Sequence, residues 1–227
     1  MLVIESFPSC AMRGPDGSFD GLPWRSVAVA ASDPLILAGI HRPEANLAIW
    51  NRDRASLPTD QSLRPFLRAA PFTAITEGAP DTIIDGLVSS LPSQPPRHLL
   101  LDIADLAAAF AIVDGARPTV RVRLEALVHD GCYRWHADAV GLRLLCTYCG
   151  AGTEWLPIDG GAAAARCIGK HGPPCPPAQL ARGAVAILKG EGYAGNTGGG
   201  CIHRSPPAGN SPRLLLCIDQ TEWSLSE

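Results

Sequence analysis

Glycine and proline together fill 44 of the 227 positions, 23 and 21 respectively. That punctuation limits what the chain can build, because turns are frequent and the segments between them are short. The character of the chain changes near residue 117. Beyond it, residues 120–129 (VRVRLEALVH) alternate in their first part, as a half-buried strand should. Further strands are expected over 132–138, 142–149, 154–157, 184–189, 200–205 and 213–219. Short strands at this spacing predict a sandwich or barrel. Two loops separate them. Residues 160–177 include KHGPPCPP, and residues 190–200 (GEGYAGNTGGG) are too rich in glycine to form an element of their own.

The first half reads differently. Residues 46–51 (NLAIWN) suit a short strand, and Thr59 suits the N-cap of a helix running to about residue 70. Residues 81–91 and 99–114 carry apolar side chains at helical spacing, with Gly115 as a stop and a proline-rich connection over 90–97. The expectation is one compact unit: residues 1–117 form a mixed helical flank on a mainly β core at 118–227. Hydrophobic residues at 46% and charged residues at 18% exclude a disordered chain. A net charge of −3 with no basic stripe argues against binding a nucleic-acid duplex. No run approaches the ~18 apolar residues of a membrane span, and the start MLVIESFPSC lacks a basic leader, so the expected location is the cytoplasm. Without export, the eight cysteines (10, 132, 146, 149, 167, 175, 201 and 217) are expected to be free thiols, mostly small buried hydrophobes.

The residues that could carry chemistry centre on Trp135-His136-Ala137-Asp138. On a strand, positions i and i+2 share a face, so His136 and Asp138 would both project inward and could occupy two corners of one metal face. His203, 67 residues later, is the candidate third ligand. Two imidazoles and one carboxylate with open positions opposite form the facial triad of non-haem Fe(II) oxygenases. The bland alternative for His136 is a hydrogen-bonded strand histidine. Arg213 follows His203 by ten residues, enough to leave along one strand and return along its antiparallel neighbour. Its guanidinium could then face the metal pocket and pair with a carboxylate, or simply make a salt bridge at a strand start. Cys146-Thr-Tyr-Cys149 could form half a zinc site or run thiol exchange, but positions i and i+3 of a strand face apart. Lys189 reads as a solvated strand end. No Walker loop and no Gly-x-Ser-x-Gly elbow is present.

His136-x-Asp138, His203 and Arg213 at plus ten resemble the signature of the 2-oxoglutarate- and Fe(II)-dependent dioxygenases. The order LRLLCTYCGAGTEWLP, RGAVAILKG, CIHRSPP and RLLLCID is similar to the core of the prolyl-hydroxylase-like branch. Most of the chain also resembles a bacterial family known only by a domain-of-unknown-function label. The dioxygenase resemblance implies a double-stranded β-helix, the jelly-roll or cupin-like barrel. It implies Fe(II) on His136, Asp138 and His203, and 2-oxoglutarate as cosubstrate with its distal carboxylate on Arg213. Tyr148 and Ser205 are further candidates for touching that cosubstrate, each with a plain packing alternative. The implied activity is hydroxylation, with no catalytic residue beyond the metal centre; the substrate is left open among a small molecule, a protein side chain and a modified nucleotide. The alternative is a cupin-like module that binds, senses or delivers a metal without turnover, since the fold alone does not fix function.

Overall fold

The computed structural model of the chain describes residues 3–4, 27–53, 55 and 57–221. Cys10 and most of the first 26 residues lie outside that set. The strands are β1 (Val3–Ile4), β2 (Val27–Ala31), β3 (Ala45–Trp50), β4 (Phe72–Gly78), β5 (Val120–Leu127), β6 (Leu142–Cys149), β7 (Glu154–Trp155), β8 (Ala178–Gln179), β9 (Val185–Lys189), β10 (His203–Arg204) and β11 (Arg213–Gln220). The α-helices are α1 (Asp60–Leu67), α2 (Ile83–Ser90), α3 (Arg97–Val113) and α4 (Gly161–His171), with a 3-10 helix at Pro34–His41.

Eight strands form one sheet in the order β1-β2-β3-β9-β6-β11-β5-β4, and three form a second in the order β10-β7-β8. His136 adds a fourth position to the small sheet through an antiparallel bridge to His203. Followed along the chain, β5 lies in the large sheet, His136 in the small one, β6 in the large, β7 and β8 in the small, β9 in the large, β10 in the small and β11 in the large. Passing repeatedly between two facing sheets is the winding of a double-stranded β-helix, the core that the dioxygenase resemblance implies and one form of the sandwich or barrel that the strand pattern predicts.

Period-2 alternation gives the large sheet two different faces. Leu144, Cys146 and Tyr148 of β6, Leu214, Leu216 and Ile218 of β11, and Val120, Val122 and Leu124 of β5 bury against Leu99, Ile103, Leu106 and Phe110 of α3. The intervening residues Leu145, Leu215 and Cys217 face the small sheet and pack with Trp155 and Cys201. Both faces are covered, so β6, β9 and β11 read as nearly continuous apolar runs. β5 shows strict alternation of buried and half-buried residues over its eight positions.

Several local expectations hold. Thr59 caps α1 by accepting from Ser62 N at 3.2 Å, and Gly115 ends α3 with a φ of +84°. Others are corrected. Residues 132–138 form no strand beyond the bridge at His136. The expected loop at 160–177 contains α4, whose alanines favour helix. The α4 N-cap, Gly160, has no capping side chain. Glu191 of the glycine-rich loop supplies the cap instead, its Oε1 accepting from Ala162 N at 2.6 Å. Lys189 is buried, donating to the Arg42 carbonyl at 2.7 Å with its ammonium over the Tyr193 ring. Strands β2 and β4 have no counterpart in the sequence pattern; with β3 they extend the large sheet, so residues before 118 join the core sheet as well as flanking it. Among the described residues, no helix is long and apolar enough to cross a membrane.

Candidate metal centre and its pocket

The small sheet brings two distant histidines together. His136 N donates to His203 O at 3.0 Å, and His203 N donates to His136 O at 2.9 Å. Residues paired this way across an antiparallel bridge project to the same side, and their ring centroids are 4.4 Å apart. Asp138, two residues beyond His136, joins them. Its Oδ2 lies 3.4 Å from His203 Nε2, and its Oδ1 lies 3.8 Å from His136 Nε2. One ligand atom from each of the three residues falls within 4.8 Å of the others, and this group could hold a metal ion.

The hydrogen bonds set which atoms are available. His136 Nδ1 lies 2.8 Å from the Arg134 carbonyl oxygen, and His203 Nδ1 lies 3.1 Å from that of Cys201. A carbonyl only accepts, so each Nδ1 carries a proton, and Nε2 is the nitrogen left facing Asp138. Burial lowers the pKa of His203 and favours its neutral form. Burial also disfavours the Asp138 carboxylate, but His203, Arg143 and His136 outweigh it and hold the group below its ordinary value. Asp138 Oδ2 is buried and accepts no hydrogen bond. An orphaned carboxylate oxygen beside the Nε2 atom of His203, with that of His136 nearby, fits a cation better than it fits an empty core.

Asp138 is aimed by its surroundings. Arg143 Nη1 donates to its Oδ1 at 2.6 Å, and its carbonyl accepts from Glu191 N at 2.8 Å. The glycine-rich loop is therefore anchored to the segment that carries Asp138. A Cβ at Gly190 would stand 2.0 Å from Val140 O and 2.7 Å from Asp138 O, so only glycine fits there.

His136, His203, Ser205 and Arg213 line one pocket of about 270 Å³, with Leu145 and Leu215 as its apolar wall. Arg213 is buried. Its Nε donates to Ala151 O at 2.9 Å, Nη1 to Ser205 Oγ at 3.2 Å and Nη2 to Thr153 Oγ1 at 2.8 Å. Every one of these acceptors is neutral, and no carboxylate among the described residues forms an ion pair with it. Burial pulls the guanidinium down to about 10, so it remains a cation at neutral pH. Gly150, with a φ of +83°, turns the chain where a side chain would crowd the Arg213 backbone at 3.1 Å.

Tyr148 is not in this pocket. It follows Thr147 on β6 and so points through the opposite face of the sheet, where its hydroxyl donates to Asp102 Oδ2 at 2.5 Å. Asp102 also accepts from Arg52 Nη1, and Arg52 Nη2 donates to Cys146 Sγ at 3.2 Å. Cys146 is thus a buried core thiol, pushed by desolvation up to about 12, and Cys149 is also free. Arg143 and Thr147 escaped the sequence reading. The one available signal for Arg143 was a charged residue inside the apolar run LRLLCTYC.

These features define a double-stranded β-helix with a His-Asp-His group that could hold a metal at one end of an Arg213-lined pocket. The chain belongs to the family described as protein of unknown function (DUF1826), whose model matches residues 31–219. No curated protein matches the sequence. Among solved structures, the chain is similar to dioxygenase for auxin oxidation 1 from Arabidopsis thaliana in a binary complex with 2-oxoglutarate. The identity is 10%, with 88% of this chain and 94% of that one covered and a TM-score of 0.48. It is similar to the rice dioxygenase for auxin oxidation at 12% identity, 79% and 74% coverage and a TM-score of 0.46. It is also similar to a Pseudomonas putida prolyl-4-hydroxylase at 11% identity, 84% and 99% coverage and a TM-score of 0.44.

Proposed function

We propose that the protein is an Fe(II)- and 2-oxoglutarate-dependent oxygenase of the hydroxylase type. The observation that carries this reading is Arg213, a buried cation hydrogen-bonded to no carboxylate among the described residues, in the pocket that His136 and His203 also line. A buried charge with no directly bonded counter-ion costs several kcal/mol; Glu125 of the same pocket acts on Arg213 without forming an ion pair, and a carboxylate ligand would add charge-assisted hydrogen bonds. A module that only binds metal has no use for such a cation.

His136 Nε2, His203 Nε2 and an oxygen of Asp138 would hold the metal, a nitrogen and oxygen donor set suited to Fe(II). Bound Fe(II) would supply the oxygen-dependent chemistry, with 2-oxoglutarate as its cosubstrate. The remaining roles belong to the chain. Arg213 binds and orients the distal carboxylate, and Ser205 Oγ, which accepts from Arg213, is free to donate its own proton to the same group. Leu145 and Leu215 exclude water between the two ends of the pocket. The substrate to be oxidised is a small molecule or a protein side chain small enough to enter beside them.

The test is anaerobic titration with Fe(II) followed by 2-oxoglutarate. The expected result is a weak visible charge-transfer band, absent in His136→Ala. Arg213→Met should keep Fe(II) binding but weaken 2-oxoglutarate by about 10–100-fold, the loss expected for hydrogen bonds to a charged group. Full metal affinity in His136→Ala would remove the triad. Tight zinc binding with no response to 2-oxoglutarate would instead favour a metal-binding module.

A further inference from the structure

We infer that Arg143 is a positioning residue that, held by Asp219, makes Asp138 a one-oxygen ligand. This rests on the metal-binding reading of His136, Asp138 and His203. Arg143 and Asp219 stand directly opposite each other on β6 and β11, and both side chains enter the space between the sheets. Arg143 Nε donates to Asp219 Oδ1 at 2.5 Å and Nη2 donates to Asp219 Oδ2 at 2.9 Å. This two-point fork leaves the planar guanidinium no rotation. The third nitrogen, Nη1, can then reach only Asp138 Oδ1, at 2.6 Å. Oδ1 is occupied, while Oδ2 accepts nothing and faces His203 Nε2.

Two consequences follow. A carboxylate with one oxygen committed to a guanidinium offers a metal the other oxygen alone, so it fills one coordination position and leaves more for exogenous ligands. The charges also balance. Arg143 cancels the charge of Asp138 and Asp219 restores it, so the trio carries the same net −1 as a lone aspartate ligand. Asp219 is itself fixed, with the buried Cys217 thiol at 3.6 Å from its Oδ1.

Co(II) is a suitable probe, since its visible spectrum reports ligand number and needs no turnover. Wild type, Arg143→Gln, Arg143→Lys, Asp219→Asn and the Arg143→Gln/Asp219→Asn double variant are titrated, with near-ultraviolet circular dichroism to verify folding. Arg143→Gln should lose about 10–100-fold in Co(II) affinity, as for other partners of metal ligands, and its visible band should change. Arg143→Lys should recover part of the loss. The double variant should be no weaker than the worse single one, because the two residues act as a unit. A folded Arg143→Gln with the wild-type affinity and spectrum overturns the inference and leaves the metal site standing. If Arg143→Gln does not fold, an unchanged Co(II) affinity in the near-isosteric Asp219→Asn overturns it equally. Failure of wild type to bind Co(II) removes the metal reading itself, and this one with it.

Discussion

Thr147 and Tyr148 are neighbours in sequence and serve opposite sides of one sheet. Thr147 Oγ1 lies 3.4 Å from Arg213 Nη2 in the pocket, whereas Tyr148 ties β6 to Asp102 of α3. Tyr148→Phe should therefore leave a half-buried carboxylate oxygen without this donor and destabilise the fold by about 1 kcal/mol. Affinity for 2-oxoglutarate should stay at the wild-type value. Denaturant unfolding and ligand titration measure the two separately, and a parallel fall in affinity would return Tyr148 to the cosubstrate. Asp138 carries a second residue-scale prediction, for the metal-free protein. Burial works against its ionisation, but His203, Arg143 and His136 bring it below the usual 3.8. A carboxyl that ionises more readily in the folded state stabilises the fold above its unfolded pKa and loses that contribution as acid protonates the native form. The melting temperature of wild type relative to Asp138→Asn should be level above pH ~5 and fall below pH 3.8. A difference independent of pH down to about 3 would contradict this.

At the scale of elements, the glycine-rich loop and α4 stabilise each other and together back the metal-ligand segment. Glu191 accepts from Ala162 N at the start of α4 and from Gly198 N within its own loop. The loop in turn lies on the backbone of Asp138 and Val140. Gly190→Ala would force these backbones apart, so it should cost about 1–3 kcal/mol, the range for overpacking, and weaken Co(II) binding with it. Gly169 provides the opposite sign. It lies inside α4, and a methyl group there would meet nothing within 4 Å. Gly169→Ala should therefore stabilise by about 0.5–1 kcal/mol through helix propensity alone. Denaturant midpoints at unchanged slope would verify both signs.

At the scale of the molecule, the helix-facing side of the large sheet is apolar from β9 to β4 and is covered by α3 and its neighbours. A fragment spanning residues 118–221 would expose Leu144, Leu216, Val122 and Leu124 and lose β1, β2 and β3 from one side of the sheet and β4 from the other. It should show no cooperative thermal transition, whereas the whole chain should unfold cooperatively; a sharp transition in the fragment would make the barrel independent. The sequence by itself determined what repeats or spaces locally: the alternation of β5, the helical pattern of α3, the cap at Thr59, and His136, Asp138, His203 and Arg213 at barrel spacing. Period and separation record which way a side chain points, and that much is written in the chain without knowledge of partners. Only the tertiary structure decided who meets whom. Arg143 meets Asp219 from 76 residues away and Arg52 meets Asp102 from 50, while Glu191 caps α4 across a gap of 29. Such pairings depend on which strands the sheet places side by side, and the side of the sheet Tyr148 faces was settled by that packing rather than by its residue type.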